Sequence, residues 1–207
     1  GVTDTIDGLA FSRDEATLYA VRNQGGVFRL YTVNTATGLM TEVIGPTLGT
    51  GEIRVDADGD GAPDDTTLIC GIDVDEFGNL VAVEHGPGAG TGRTIQLNLA
   101  DPALSTAVGS ADSVSAQVCG LASDPMGAFY TVDTGTTHDS LVRMQLRDRL
   151  VQVDPVTGAL TPVGILWDVD TNNFRNNVLA LAFGDDGFLY ALVNDQDGLG
   201  DTFTPAG

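Results

Sequence analysis

One pattern constrains this chain more than any other: a short apolar opening recurs four times, at Gly8-Leu9-Ala10-Phe11, Gly71-Ile72-Asp73-Val74, Gly120-Leu121-Ala122-Ser123 and Ala180-Leu181-Ala182-Phe183. A polar turn follows each opening: Arg13-Asp14-Glu15, Asp75-Glu76-Phe77-Gly78, Asp124-Pro125-Met126-Gly127 and Asp185-Asp186-Gly187. A second apolar run then begins at Leu18, Leu80, Phe129 or Leu189. Three copies add two more runs around a turn, with Thr37-Gly38, Asp101-Pro102 or Asp154-Pro155-Val156-Thr157-Gly158 between them, and end toward Gly45, Gly109 or Gly164. Short runs separated by Gly, Asp, Pro and Asn read as strands, and no segment of a dozen residues has helical spacing; Leu141–Leu146 comes nearest. The expected class is all-β.

The repeat origins are 63, 49 and 60 residues apart. Four-stranded units near this length predict a β-propeller-type array of antiparallel blades, against the alternative of a β-sandwich. The expected repeats cover 6–47, 68–111, 116–166 and 178–207, with an insertion at 51–66, all in one domain. Residues 150–160, Leu-Val-Gln-Val-Asp-Pro-Val-Thr-Gly-Ala-Leu, resemble the third strand and hairpin of secreted bacterial propeller repeats. The resemblance implies fold and compartment and brings no catalytic residue with it. Trp167-Asp168 occurs once, without the Gly-His partner of a WD repeat. Three units are complete and the fourth is half present. Either the chain is part of a longer one, or the missing strands come from elsewhere, residues 1–6 and neighbouring copies being the candidates. Unpaired edges in such an array invite association with another chain.

The composition narrows the partners. The net charge is −20, the chain has no Lys, and the 29 acids outnumber the 9 basic residues, all of them Arg. Such a balance excludes nucleic acid and anionic lipid as expected partners. Apolar runs such as Val178–Phe183 are too short to span a bilayer as a helix. The chain opens on Gly rather than Met, so a processed or excised start is expected, with any targeting signal outside these residues.

Five of the 24 Asp fall in Asp56-Ala57-Asp58-Gly59-Asp60-Gly61-Ala62-Pro63-Asp64-Asp65. Carboxylates at positions 1, 3 and 5, Gly at 6, a carbonyl at 7 (Ala62) and a carboxylate at 9 converge as a hard oxygen shell. This loop resembles those of EF-hand, dockerin and thrombospondin type 3 repeats, which implies calcium bound by Asp56, Asp58, Asp60 and Asp64. Position 12 is Thr67 instead of Glu, and Asp65 is the candidate substitute. Weaker relatives are Asp168, Asp170 and Asn172, and Asp195, Asp197 and Asp201, each equally readable as a polar turn.

In a propeller, the connections from the fourth strand to the next blade and from second to third strand open on one face. The Asp56 and Asp168 loops, Arg22–Gly26, Glu84–Arg93, Asp133–Arg149 and the residues from Asn194 all map to it, the distribution of a binding face. His85 and His138 lie there too. Calcium-dependent propeller lactonases place acids and His on this face, so both are candidate general bases, against the reading of two surface-loop histidines. No nucleophile elbow, phosphate loop or metalloprotease His pair occurs. Cys70 and Cys119 precede Gly71 and Gly120, equivalent places in consecutive repeats, and are either a disulfide or two buried thiols. Arg143, Arg147 and Arg149 form a basic cluster, read as a solvated loop paired with Asp or as a dock for an acidic surface.

The expected function is a secreted or cell-surface, calcium-stabilised propeller acting as a structural, adhesive or self-assembling interaction module, more readily a binding protein than an enzyme. Its expected partners are other protein chains or further copies of itself. The alternative is a calcium-dependent hydrolase or lactonase-like enzyme working on the loop-rich face. Carbohydrate binding is the least favoured reading, because Phe174 and Phe203 are the main aromatic candidates in the loops.

Overall fold

The computed structural model describes residues 4–56, 60–63, 65–84, 93–108, 118–133, 149–168, 173–174 and 178–193. Every regular element among them is a strand, apart from a 3-10 turn at Pro102–Leu104. Strands β1 (Asp4–Phe11), β2 (Leu18–Gln24), β3 (Val27–Val33) and β4 (Met40–Glu42) form the first antiparallel blade in chain order. Next come β5 (Arg54–Asp56) and β6 (Asp65–Thr66), then the second blade, β7 (Ile69–Val74), β8 (Leu80–Glu84), β9 (Arg93–Gln96) and β10 (Ser105–Val108). The third blade is β11 (Val118–Ser123), β12 (Phe129–Asp133), β13 (Arg149–Val153) and β14 (Leu160–Ile165). A small hairpin, β15 (Trp167–Asp168) with β16 (Asn173–Phe174), leads to a two-stranded fourth blade, β17 (Val178–Phe183) and β18 (Leu189–Val193).

Turn chemistry cuts the strands to length. The Asp75 carboxylate accepts the N–H groups of Phe77 and Asn79, and Asp124 does the same for Met126 and Ala128. Asn34 and Asp154 cap the turns between third and fourth strands through Ala36 and Thr37, and through Val156 and Thr157. A short side chain that bonds the backbone two or three residues on favours a turn over continued extension.

The inner strands β1, β7, β11 and β17 pack side by side in that order. A Cβ on Gly71 would lie 2.8 Å from the backbone of Gly120 and Leu121, so the absence of a side chain sets how closely these two strands approach. Cores fill the joints between blades. Val21, Phe28 and Leu30 meet Ile69, Ile72, Leu80 and Ile95; Val81 and Val83 meet Leu121, Phe129 and Val153; Ala122 and Val132 meet Val178 and Leu181. Each blade thus buries both faces wherever it has two neighbours.

Two details differ from expectation. Residues 4–6, a candidate closing strand from outside the repeat, instead begin β1 and pair with Arg22–Gln24. The run from Asp4 to Phe11 passes Asp7-Gly8 with a shift of register between Ile6 and Gly8 and stays paired with β2 on both sides, so it forms one inner strand. The fourth strand of the first blade stops at Glu42 rather than running to Gly45. The chain loops out and returns, and the Ile53 N–H donates to the Phe28 carbonyl at 2.8 Å. The excursion docks on the second blade, where Asp101 Oδ2 accepts the Thr47 N–H at 3.1 Å and its hydroxyl at 2.6 Å.

Candidate functional site

Residues 51–56 pass from the edge of the first blade to the edge of the second. There β5 joins β10 in parallel, with Val55 opposite Ser105 and Asp56 opposite Thr106. Parallel pairing makes β5 end where β10 ends, on the same face as the connections between second and third strands. Strand β6 returns antiparallel, with Asp65 opposite Val55. The acidic loop is therefore the tip of a hairpin added to the second blade, standing on the loop-rich face.

Within that tip, half-buried Asp56 accepts the Gly61 N–H on Oδ2 at 3.0 Å, and Asp60 Oδ1 accepts the Ala62 N–H at 2.8 Å. Gly61 has φ of +84°, the left-handed conformation a residue with a Cβ adopts only under strain, and this folds the chain back over Asp56. The donors the sequence supplies here are all hard oxygens, the chemistry calcium takes. Asp58 and Asp64 lie outside the described residues, as does the side chain of Asp65. Among the described residues, no group of three or more His, Cys, Asp or Glu is placed to hold a metal. Asp168 ends β15 opposite Asn173, and residues 169–172 lie outside the described residues. Asp170, Asn172, Asp195, Asp197, Asp201, His85 and His138 lie outside the described residues, as do Arg143 and Arg147.

Beneath the loops stands a set of charges that no local sequence motif marks. Glu84, the last residue of β8, is buried and pairs with Arg93, the first of β9, at 2.5 Å. Asp133, the last of β12, is buried and pairs with Arg149, the first of β13, at 2.9 Å. In the first blade, Arg22 near the end of β2 bonds Asp4 at the start of β1. An acid and an arginine flanking each long loop are visible once the repeats are superposed; the signal is their place at the strand ends. Arg149, read within a solvated basic loop, is thus a strand residue with a buried partner. Burial of these charges is sustained only by pairing, so Glu84 and Asp133 act as anchors for the loops that leave between them.

Asp73 of β7 crosses the second joint, where its Oδ2 accepts the Ser123 N–H at 2.5 Å and the Ser123 hydroxyl at 2.9 Å. Burial raises its pKa above the ordinary carboxylate value, while the bonds from Ser123 and from the Val74 N–H pull the other way. Cys70, beside it on β7, is disulfide-bonded, and the chain contains one other cysteine, Cys119, whose side chain lies outside the described residues. At the opposite end of the second blade, a groove of about 480 Å³ is lined by Asn79, Gln96, Asn98, Leu99 and Thr106 among others, with no acid, base or sulfur nucleophile.

Comparison with known proteins bears on the fold. No protein-family model matches the sequence, and no curated protein matches it. Solved structures do. The chain is similar to a nidogen/laminin complex structure, with TM-score 0.55 and 15% identity over 91% of this chain and 56% of that one. It is similar to an α-L-arabinofuranosidase from Clostridium thermocellum, with TM-score 0.54 and 16% identity over 91% and 60%. A gluconolactonase from Xanthomonas campestris gives TM-score 0.51 and 13% identity over 92% and 70%. These neighbours are β-propeller proteins, and the chain is an all-β, propeller-type array of four-stranded blades. It spans somewhat more than half the length of the first of them. Identity this low extends to the fold alone.

Proposed function

We propose that this chain is an extracellular, calcium-stabilised propeller module that serves in structural or adhesive assembly. The observation that carries this reading is the hairpin tip at 56–65, where Gly61 turns the backbone onto Asp56 in a segment holding five Asp. Carboxylates brought together repel one another unless a cation joins them, and an oxygen-only donor set with a carbonyl at Ala62 suits calcium better than the stricter octahedron of magnesium. Asp56, Asp58, Asp60, Asp64 and the Ala62 carbonyl would hold the ion, with Asp65 in reserve. Bound there, calcium would tie the β5–β6 hairpin to the edge of the second blade.

The disulfide at Cys70 supports an oxidising compartment, and no helix among the described residues is long and apolar enough to cross a membrane. The arginine-neutralised Glu84 and Asp133 favour binding over acid–base chemistry on the loop face. Calorimetry tests the metal. Calcium is expected to raise Tm in proportion to its logarithm above the dissociation constant, EDTA to reverse the gain, and Asp58→Ala to abolish the response. A melting temperature indifferent to both calcium and EDTA would overturn the calcium assignment.

A further inference from the structure

The groove at the end of the second blade away from the loops arises from a difference between repeats. Six residues separate β3 from β4 (34–39) and β13 from β14 (154–159), whereas eight separate β9 from β10 (97–104). In the first and third blades, Asn34 and Asp154 close the connection by donating their N–H groups to the carbonyls of Leu39 and Ala159. Asn98, in the same place, donates instead to Ser105 Oγ at 3.1 Å, and the chain passes between them through the 3-10 turn Pro102–Leu104. This wider connection is braced from outside, because buried Asp101 within it holds Thr47 of the first blade's excursion. That wall of the groove is therefore set before any ligand arrives, which lowers the ordering cost of binding.

The groove encloses about 480 Å³, within the roughly 300–1,000 Å³ of small-molecule sites. Its lining joins buried Leu80 and Leu97 to side chains that are polar and uncharged. Asn79 donates to Asp75 Oδ2 at 2.7 Å, which leaves its amide oxygen open. Asn98 Oδ1 accepts the N–H groups of Ala100 and Asp101, which leaves its amino group open. Gln96 stands between Val81 and Thr106 in one cross-strand row. The exposed Gln96 amide and Thr106 hydroxyl have no hydrogen-bond partner among the described residues. An ion finds no counter-charge in this lining, and a wholly apolar ligand would dehydrate these groups without replacing their bonds. Hydroxyl groups, each both donor and acceptor, match all of them. An aromatic side chain flanks the site: Phe77, next to Gly78 of the lining, is 81% exposed. The turn uses the Phe77 N–H, which bonds Asp75, and not its ring. An exposed ring beside amides suits a ligand with one apolar face and a polar rim.

We propose that this groove binds a neutral saccharide, with the sugar ring against Phe77 and its hydroxyls on Asn79, Gln96, Asn98 and Thr106. The site goes beyond the calcium reading and is independent of it, since the acidic hairpin stands on the opposite face. A peptide is the other ligand rich in neutral donors and acceptors. It would need a free backbone edge, and β9 has both of its edges paired, with β8 and with β10.

NMR titration of the isotope-labelled chain with the methyl glycosides of glucose, galactose, mannose and N-acetylglucosamine tests this. At least one is expected to shift the side-chain amide signals of Gln96 and Asn98 saturably. Phe77→Ala should then weaken binding by about tenfold and Gln96→Ala by roughly fivefold, with Tm unchanged because both side chains are exposed. Gln152, between Tyr130 and Thr161, holds the matching place in the third blade, where the connection is short. Gln152→Ala should therefore bind as the wild type does. No saturable shift with any of the four glycosides overturns the proposal. So does binding that survives both Phe77→Ala and Gln96→Ala, or that Gln152→Ala weakens equally, since the sugar would then lie elsewhere. Shifts of the same amides by tri-alanine amide, with none from the sugars, would assign the groove to peptide and also overturn it.

Discussion

Asp73 illustrates how one carboxylate is set against its surroundings. Its burial favours the protonated form, and the Ser123 bonds recover only part of the lost hydration. An acid whose pKa is raised by folding contributes most below the ordinary carboxylate range, and that contribution is lost as pH rises through the raised value. Asp73→Asn keeps an acceptor for Ser123 and removes the charge. The difference in Tm, variant minus wild type, should therefore grow between roughly pH 3 and pH 7. Parallel curves would show that the folded chain holds this carboxylate without a penalty. Asp133 is held differently, by an ion pair with Arg149 at 2.9 Å. Asp133→Ala should cost about 3 kcal/mol in a urea titration, the effect of breaking a largely buried ion pair by removing one of its members. Exposed Asp14, Asp154 and Asp186 have lowered pKa values, through bonds from Ser12, from the Thr157 N–H and from the Tyr190 hydroxyl respectively. Part of the large negative charge is thus turn chemistry.

The element that matters most is the inner strand, where blades come within backbone distance of each other. Gly71 and Gly8 occupy matching places but face different neighbours. A Cβ at Gly71 would strike the backbone of Gly120 and Leu121, whereas one at Gly8 would meet Ile72 Cγ1 at 2.9 Å and its amide nitrogen at 3.1 Å. Backbone cannot turn aside, and a side chain can. Gly71→Ala should therefore destabilise by about 2 kcal/mol or more, and Gly8→Ala by clearly less, as chemical denaturation of the two variants would show. Equal losses would mean that the strands shift freely. The disulfide at Cys70 belongs to the same strand. If its partner is Cys119, the bridge closes a loop of roughly 50 residues between consecutive blades, and reduction should cost about 4 kcal/mol. Peptide mapping without reductant checks the pairing, and a thiol at Cys119 would exclude it.

At the scale of the whole molecule, stability is distributed over joints, each depending on a blade to either side. The repeat, the strand class, the Asp- and Asn-capped turns and the acidic hairpin motif were legible from sequence because each depends on residues a few positions apart. Asp75 needs only Phe77 and Asn79 to make its turn. Pairing between distant residues was not legible. Nothing local tells β5 to lie parallel to β10, or residues 51–53 to resume the edge of the first blade. Glu84 and Arg93 stand at the two ends of a loop in the sequence, and only the antiparallel register brings them together. The inner strands are the sharpest instance. Leu9 and Ile72 are interchangeable in sequence, both apolar residues after a glycine in the same repeat. Sequence determined that both belong to a blade face, because alternation along a strand is a local property. Tertiary structure alone decided that Ile72 packs with Val21 and Leu30 of the first blade, because burial depends on what stands beside the blade.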